Sequence, residues 1–584
     1  MPSHLTTGAS EFTLRCVAEI RAYVDSDHVF VVWQLDAPVH DCRGFALTRK
    51  EVESGKETTL DTFVGFAGDT APAGTRKTSS EWPIQRYMWS DYAPPRLAVS
   101  YEAVPMVGDK SNLVPDKKGA TGWSDPVTVT PEVGDGISAF FNRGIVATQW
   151  LSRALRERGG ETRAVLTEAI EKPGDRIRNF LGGGVLWRLP KLLAEAEQSG
   201  AEVHAALFEL DDPQLIEALG AFGPRAHVVL ANGTKDDDEN ADARSALREK
   251  NVDVHDRLVH TSNHLAHNKF LVISDDSGAK TVWTGSTNWT VTGLCTQSNN
   301  AILIENEDVA TWYRAQWDEL VKAGSDYPDG LFTANDTVRT TSLAGTASAQ
   351  TWFAPVRGTI DLESARERIN AAEQGILFLM FNPGPTGTLL NDIIERTTVA
   401  SPTYDPNLHI HGVVNQDPST KKHPVVGLLH RGELTEADID VVLPAAVDED
   451  FASWVQELNY SLVMVHSKCI VVDPFGAKPV VMTGSHNMGP RASGKNDDNL
   501  VIIDGQRGLA EAFAVYIMGV YNQYRWRYYQ FRAAKGELDA TAAAADAVET
   551  WAGLVDDDTW QAKYFTAGGP EQRELAFWLP ASPH

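Results

Sequence analysis

The chain has 584 residues, of which 42% are hydrophobic and 22% are charged, a composition typical of a globular protein with several domains. Its 52 basic and 79 acidic residues give a formal net charge of −27, which opposes non-specific binding to nucleic acids and anionic bilayers. No secretory signal is visible, and no apolar run reaches the roughly 18 residues of a membrane helix. We therefore expect a cytoplasmic protein without an integral membrane segment.

Four cysteines, Cys16, Cys42, Cys295 and Cys469, form neither a disulfide framework nor a CxxC metal pattern. We predict buried free thiols. A disulfide between Cys16 and Cys42, both in the first domain, is the alternative.

The first domain, residues 1–133, is predicted to be an all-β sandwich. Gly, Pro and Asp separate its strand-like runs, which cover residues 29–33, 63–66, 97–104 and 126–130. The last two runs, with Gly122-Trp123-Ser124 leading into the second of them, resemble the final strands of a fibronectin type III domain. Trp33 is expected in the core of this sandwich rather than in a ligand site.

Two units of alternating strands and helices follow, which predicts α/β domains with helices on both faces of a parallel or mixed sheet. The first unit is residues 134–335, with strands at 201–210 and 225–231 and helices at 213–220 and 309–323. A stretch rich in Gly, Ser and Thr, residues 333–350, is predicted to connect it to the second.

The second unit is residues 350–584, including a C-terminal helical region. Its predicted elements are helices at 360–373, 389–397 and 509–534 and a strand at 376–381. The polar segment 416–450 is predicted to be an insertion bordering a site. The aromatic and arginine residues of 521–529 form either a binding face or a face packed on the sheet, and we favour packing.

One block of polar residues occurs in both units. His267 and Lys269 precede an apolar strand, and His466 and Lys468 precede another. A Gly-Ser-x-Asn segment and a further amide or carboxylate follow each strand: Ser286, Asn288 and Asn299 in the first unit, and Ser485, Asn487 and Asp498 in the second. The blocks repeat at a constant offset of 199 residues without a gap. Agreement at so many positions predicts two equivalent halves.

The spacing within each block predicts a single pocket. Residues i and i+2 of a strand share a face, so the His and Lys of each motif project together from the end of a buried strand. If the two halves pack as pseudo-symmetric mates, these side chains line one cavity rich in hydrogen-bond donors. Such a cavity suits the non-bridging oxygens of a phosphoryl group.

The double HxK(x)4D…GSxN pattern resembles the phospholipase D superfamily over about residues 140–530. That superfamily includes phospholipases D, cardiolipin and phosphatidylserine synthases, bacterial endonucleases and tyrosyl-DNA phosphodiesterases. The resemblance implies two pseudo-symmetric α-β-α halves and a metal-independent phosphodiesterase that forms a phosphohistidine and needs no cofactor. It further implies that His267 is the nucleophile and His466 the general acid, with Asp498 and Asn299 orienting these rings across the halves.

The first motif departs from the pattern at Ser274, where the second motif has Asp473. The Asp275 side chain points to the other face of the strand. Because this position is largely structural in the family, we expect an active enzyme. A catalytically silent phosphate-binding protein is the alternative.

The remaining histidines match no metal-ligand spacing. We predict surface or substrate-loop positions for them, and no metal: His255, His260, His264, His409, His411, His423 and His430. Trp289 and His486 flank the motif residues. Either lines the pocket, and packing beneath it is an equal alternative for the tryptophan.

The substrate class is only partly indicated. An acidic chain without the basic-aromatic tracts of nucleic-acid channels favours a phospholipid or a small phosphodiester. The segment Gly285-Ser286-Thr287-Asn288-Trp289-Thr290 resembles the endonuclease branch, so a DNA or RNA endonuclease is the alternative. The sequence does not indicate what the N-terminal sandwich binds.

Overall fold

The computed structural model describes residues 18–69, 75–92, 94–144, 148–160, 162–233, 238–260, 264–415, 418, 439–442, 464–534 and 553–580. Its strands are β1 Glu19–Val24, β2 His28–Gln34, β3 Cys42–Glu51, β4 Glu57–Thr59, β5 Asp61–Thr62, β6 Lys77–Thr78, β7 Met88–Tyr92, β8 Ala98–Val107, β9 Val114–Pro115, β10 Val127–Thr128, β11 Glu132–Gly134, β12 Ile137–Phe141, β13 Glu202–Leu207, β14 Ala226–Ala231, β15 Asp253–Arg257, β16 Lys269–Asp275, β17 Gly278–Gly285, β18 Asn300–Glu305, β19 Arg339–Ser342, β20 Ser348–Phe353, β21 Gly375–Met380, β22 His409–Val414, β23 Ile439–Val442, β24 Cys469–Val472, β25 Val480–Gly484 and β26 Asn499–Asp504.

Its α-helices are α1 Thr148–Arg156, α2 Arg163–Glu171, α3 Arg176–Gln198, α4 Pro213–Ala221, α5 Ala241–Glu249, α6 Val291–Cys295, α7 Glu307–Ala323, α8 Asp329–Asn335, α9 Ile360–Asn370, α10 Leu389–Glu395, α11 Pro490–Lys495, α12 Arg507–Ala534 and α13 Pro570–Trp578. Short 3-10 helices cover Lys117–Gly119, Gly223–Arg225 and Thr559–Phe565. Among the described residues, no helix is both long enough and apolar enough to cross a bilayer.

The N-terminal region contains two main antiparallel sheets, one with strand order β1-β2-β7 and one with order β10-β8-β3-β4. Trp33 is fully buried among Phe45 and Tyr87, as predicted. The prediction of a strand at residues 63–66 was wrong. Here the backbone of Gly65 and Ala67 forms hydrogen bonds with Leu554. This partner is so distant in sequence that the local pattern does not reveal it.

The C-terminal segment returns to this sandwich. The Trp560 indole donates to the carbonyl of Cys42 at 3.0 Å, and the Gln561 amide both donates to and accepts from the backbone of Val39. Cys42, Cys295 and Cys469 are buried free thiols, whereas Cys16 lies outside the described residues.

Two eight-stranded mixed sheets carry the rest of the fold. Their orders are β11-β12-β18-β17-β16-β13-β14-β15 and β19-β20-β26-β25-β24-β21-β22-β23. The orders match strand for strand. In each sheet the strand of the His-x-Lys motif, β16 or β24, lies near the centre. Both of its neighbours run antiparallel to it: the strand that leads into Gly-Ser-x-Asn, β17 or β25, and the strand on its other side, β13 or β21. The predicted α/β fold of two equivalent halves is therefore confirmed.

Two secondary-structure predictions need correction. The stretch 333–350 is not only a connection: its Thr- and Ser-rich part forms β19 and begins β20, because these residues alternate on the edge of the second sheet. The predicted insertion, residues 416–450, lies outside the described residues except for Pro418 and β23, which pairs in parallel with β22.

The closing helix of each half packs against the other half. Tyr313 of α7 packs edge-on against Phe353, with ring centroids 4.9 Å apart. Tyr516 of α12 stacks on Phe141 at 4.3 Å. Tyr521 is also fully buried, which supports packing for the start of the 521–529 cluster. Residues 525–529 lie in α12, but their side chains lie outside the described part of the structure.

Candidate active site

The two His-x-Lys motifs have nearly the same local geometry. His267 and Lys269 lead into β16 and are 4% and 1% exposed, and His466 and Lys468 lead into β24 with the same exposures. Each lysine ammonium donates to the carbonyl of its own motif histidine at 2.6 Å. The buried apolar strands hold both pairs of side chains at the strand ends, as the spacing predicts.

A phenylalanine supports each pair. The His267 ring packs edge-on against Phe208 at 4.8 Å, and the His466 ring packs against Phe381 at 4.7 Å. The adjacent lysine ammonium of each half lies 4.8 Å from the centre of the same phenylalanine ring. These cation–π contacts stabilise buried ammonium groups.

The histidines are oriented from the opposite halves. His267 Nδ1 lies 2.8 Å from Oδ1 of Asp498, and His466 Nδ1 lies 3.0 Å from Oδ1 of Asn299 and 3.1 Å from the carbonyl of Ser286. A hydrogen bond at Nδ1 leaves Nε2 of each ring available. The two motifs therefore form parts of one site.

The motif serines hold the groups that orient the rings. Ser286 donates to Asn299 Oδ1 at 2.8 Å, and Ser485 donates to Asp498 Oδ1 at 2.6 Å. The preceding residue is glycine in both halves. A Cβ on Gly285 would lie 2.4 Å from the carbonyl oxygen of Asn300, so only glycine permits this close approach.

The motif asparagines present unused hydrogen-bonding capacity. Among the described residues, neither Asn288 Oδ1 nor Asn487 Oδ1 has a hydrogen-bond partner. Asn288 Nδ2 donates to Glu209 at 2.5 Å. Buried amides without full satisfaction are uncommon and are suited to receiving a polar ligand.

Burial and mutual repulsion make the site unfavourable for its own positive charges. Burial, aided by the neighbouring lysine, lowers the pKa of His267 to about 4. Burial also lowers the pKa of Lys269 to about 7 and, together with Lys269, holds the pKa of Lys468 well below its usual value. The pKa of His466 is likewise well below the ordinary value, chiefly because of burial. A bound anion would reverse these shifts, since it stabilises the protonated forms.

The pKa values of two buried carboxyl groups in the site, Glu209 and Asp498, shift in opposite directions. Burial raises the pKa of Glu209 to about 7 despite Lys269. Burial alone would also raise the pKa of Asp498, but the contact with His267 holds it below the usual value. Asp498 is therefore the carboxylate that stays charged beside a histidine.

Hydrogen bonds that cross between the halves surround the site. Thr284 donates to Asn499 Oδ1 at 2.8 Å, and Asn300 Nδ2 donates to Thr483 at 2.7 Å. The buried guanidinium of Arg257 pairs with Asp497, which neutralises the carboxylate next to Asp498 in sequence.

Ser274 and Asp473, the position at which the two motifs differ, lie away from the motif histidines and lysines. Asp473 directly follows β24, at the end opposite His466. Its carboxylate accepts hydrogen bonds from the backbone N–H groups of Glu373, Gln374 and Gly375 at 2.7–2.9 Å. Ser274 is at the corresponding end of β16 and pairs with Glu202 in the sheet. Asp473 thus fixes the start of β21.

The flanking residues lie beneath the site. Trp289 is fully buried in the core of the first half, so the packing alternative is correct. His486 is 1% exposed and pairs with Asp361 at 3.0 Å. Burial alone would lower the pKa of His486, but Asp361 raises it.

The surface prediction was wrong for two of the other histidines. His409 and His411 lie buried on β22, because these polar residues occupy sheet positions beside aromatic rings. His255 lies on β15, and its side chain is 33% exposed, so its surface position is as predicted. His260 is exposed, as predicted, and His264 packs on Tyr327. His423 and His430 lie outside the described residues.

Sequence reasoning missed Glu209, Phe208 and Phe381. Phe208 and Glu209 follow the end of β13, and Phe381 follows the end of β21. Ligands in open α/β sheets bind outside the carboxyl ends of the strands. That rule, applied to the residues directly after the predicted strands, would have identified these positions.

Two regions of this chain are similar to a known protein family. Residues 191–321 and 409–518 match the family described as cardiolipin synthase, PLD-like domain. No curated protein matches the sequence.

Three solved structures are similar in part. Polyphosphate kinase from Porphyromonas gingivalis is 13% identical with a TM-score of 0.35; the match covers 54% of this chain and 45% of that one, so less than half of the kinase chain is spanned. Phosphatidylserine synthase from Haemophilus influenzae is 10% identical with a TM-score of 0.38, and the match covers 60% of this chain and 91% of that one. Nuc from Salmonella typhimurium, a phospholipase D family member, is 25% identical with a TM-score of 0.19, and the match covers 25% of this chain and 93% of that one.

Proposed function

We propose that this chain, which belongs to the phospholipase D superfamily through its two PLD-like regions, is a metal-independent phosphodiesterase with a phosphohistidine intermediate. The observation that carries the proposal is the unequal crosswise pairing of the two histidines. His267 contacts a carboxylate from the other half, whereas His466 contacts an amide and a carbonyl.

The pairing supports different roles for the two histidines. A histidine that attacks phosphorus gains positive charge, and a carboxylate at its Nδ1 stabilises that charge. The contact with Asp498 therefore supports His267 as the nucleophile. The amide oxygen of Asn299 accepts the Nδ1–H of His466 but carries no charge, so it stabilises a protonated His466 less than a carboxylate would, and His466 gives up its Nε2 proton more readily to a leaving oxygen.

The reaction balances in two steps. Nε2 of His267 bonds to phosphorus while the phosphorus–oxygen bond to the leaving group breaks, and His466 gives that oxygen its proton. His466 then takes a proton from water, or from an acceptor alcohol, whose oxygen displaces His267 from phosphorus. Lys269, Lys468 and the motif asparagines stabilise the phosphoryl oxygens, which is the charge-neutralising task that metal ions perform in other phosphoryl-transfer sites.

We favour a phospholipid or another small phosphodiester as the substrate. The Glu209 carboxyl group lies against Asn288 in the site. In its charged form, above its pKa of about 7, it opposes the neighbouring phosphates of a polynucleotide. Trp289 is buried and offers no surface on which a base could stack. Hydrolysis and transfer to an alcohol share the first step.

The proposal is tested by turnover in EDTA of bis-p-nitrophenyl phosphate, phosphatidylcholine vesicles and single-stranded DNA. The variants are His267→Ala and the matched control His260→Ala, an exposed histidine seven residues earlier. We expect turnover by the wild type and the control, loss in His267→Ala, and preference for vesicles over DNA. No turnover of any substrate would leave the phosphate-binding alternative, and preference for DNA would leave the endonuclease alternative.

A further inference from the structure

A second group of ionisable side chains lies at the other end of the first sheet. Glu202, His204, His227 and Asp253, which we name the edge cluster, come from the first residues of β13, β14 and β15. The sheet register pairs His204 with His227 and His227 with Asp253, so their side chains share one face. Glu209, which contacts Asn288 in the candidate active site, follows the opposite end of β13.

The distances within the edge cluster suit one small cation. Glu202 Oε1 lies 3.2 Å from His204 Nε2 and 3.7 Å from His227 Nε2, and one donor atom from each of the three residues lies within 4.8 Å of the others. Ligands at zinc-like bond lengths of about 2.0–2.1 Å in a tetrahedral arrangement are roughly 3.3 Å apart. A small decrease in the distances between these donor atoms would therefore bring all three to the spacing of zinc ligands.

The His227 ring is already oriented for coordination. Its Nδ1 lies 2.8 Å from Asp253 Oδ2, the arrangement in which a carboxylate fixes the tautomer of a metal-bound histidine and leaves Nε2 as the ligand. Its ring is nearly parallel to that of His204, with centroids 4.6 Å apart. His227 must tilt to direct Nε2 at a shared ion, and its side chain is 23% exposed, which leaves room for this movement.

His204 is the buried member of the edge cluster. It is 2% exposed, and its Nε2, 3.2 Å from Glu202 Oε1, is the ring nitrogen that faces the cluster. The Trp317 ring packs edge-on against it and forms the floor of the cluster. Arg314, a cation that also faces His204, is paired with Asp318.

We propose that Glu202, His204 and His227 bind one divalent transition-metal ion of the zinc class, with Asp253 holding His227 in place. Two imidazoles and a carboxylate leave a fourth position for water, and His255, 3.0 Å from Asp253, adds a further hydrogen bond to this carboxylate. Because the three ligands come from the neighbouring strands β13 and β14, the ion ties these strands together. It lies away from the phosphodiester site, so it stabilises the half without entering the reaction.

The test is zinc binding to the full-length protein after removal of metals with a chelator. Calorimetry and elemental analysis measure affinity and stoichiometry in the wild type, His227→Ala, Asp253→Asn and the control His260→Ala. His227 and Asp253 are partly exposed, so these variants are expected to fold, which circular dichroism checks. Cobalt substitution reports the coordination geometry.

We expect one zinc ion per chain in the wild type and control, and its loss in His227→Ala. Binding should be about 10- to 100-fold weaker in Asp253→Asn. Zinc should raise the melting temperature of the wild type but not of His227→Ala. Absence of zinc binding by the wild type, or retention of the same ion by His227→Ala, would overturn the assignment. Phosphodiester turnover in EDTA is measured separately and tests only the proposed function.

Discussion

His267 Nδ1 lies 2.8 Å from Oδ1 of Asp498, a residue of the other half of the chain. The equivalent nitrogen of His466 instead faces Asn299 at 3.0 Å. This difference between a carboxylate and an amide breaks the pseudo-symmetry of the site at the two histidines that we propose take part in the reaction.

Replacing the carboxylate should impair the nucleophile. In Asp498→Asn the developing positive charge on His267 loses its partner while the shape is kept, and we expect kcat/KM to fall by about 100- to 10,000-fold. Asn299→Asp should cost less and move the basic limb of the pH profile upward, because a carboxylate raises the pKa of His466. Steady-state kinetics across pH measure both. Equal losses in the two variants would argue against distinct roles.

The hydrogen bonds between the halves should differ in their contribution to stability. Thr483→Val leaves the buried Asn300 Nδ2 without its acceptor, at a cost of about 1–3 kcal/mol. In Thr284→Val, Asn499 Oδ1 still accepts from Tyr313 at 3.0 Å, so the cost should be smaller. Urea unfolding midpoints compare the two. A larger effect of Thr284→Val would contradict this interpretation.

Asp473 should matter for folding and not for turnover. Asp473→Ser, which installs the residue of the first half, removes the acceptor of three backbone N–H groups and should cost about 2–4 kcal/mol. Asp473→Asn keeps one acceptor oxygen and tolerates the positive φ of 48° at this position, so it should cost less. Unfolding and kcat are measured on the same samples. A large fall in kcat for folded Asp473→Ser would place this residue in the reaction.

Acid should destabilise the protein through its buried histidines. His267 has a pKa of about 4 in the folded chain against 6.5 ordinarily, so the unfolded state binds a proton first as pH falls. The stabilisation is complete above about pH 6.5 and is lost as pH falls towards 4, on the order of 3 kcal/mol. Urea unfolding of metal-free protein between pH 7.5 and 4.5 should show a shallower dependence for His267→Gln. An unchanged dependence would contradict the predicted shift.

The sequence predicted which motif residues the structure brings together. The constant offset between the blocks fixed which residues are equivalent, and the strand period fixed which ones share a face. Glu209 was missed because it belongs to no repeat and reaches Asn288 only through the packing of β13 beside β16. The edge cluster was missed because its ligands come from adjacent strands, so their separation in sequence has no metal-binding pattern. The pairing of Gly65 with Leu554 depends on tertiary packing for the same reason.

The central claim is that one shared site uses His267 as its nucleophile, and trapping of the intermediate tests it most directly. In His466→Asn, bis-p-nitrophenyl phosphate can still react, because p-nitrophenolate leaves without a proton donor, while water attack lacks its base. A rapid alkaline denaturing quench followed by tandem mass spectrometry should find a p-nitrophenyl phosphoryl group on His267. The same adduct on His466 in His267→Asn, with none on His267 in His466→Asn, would contradict the account.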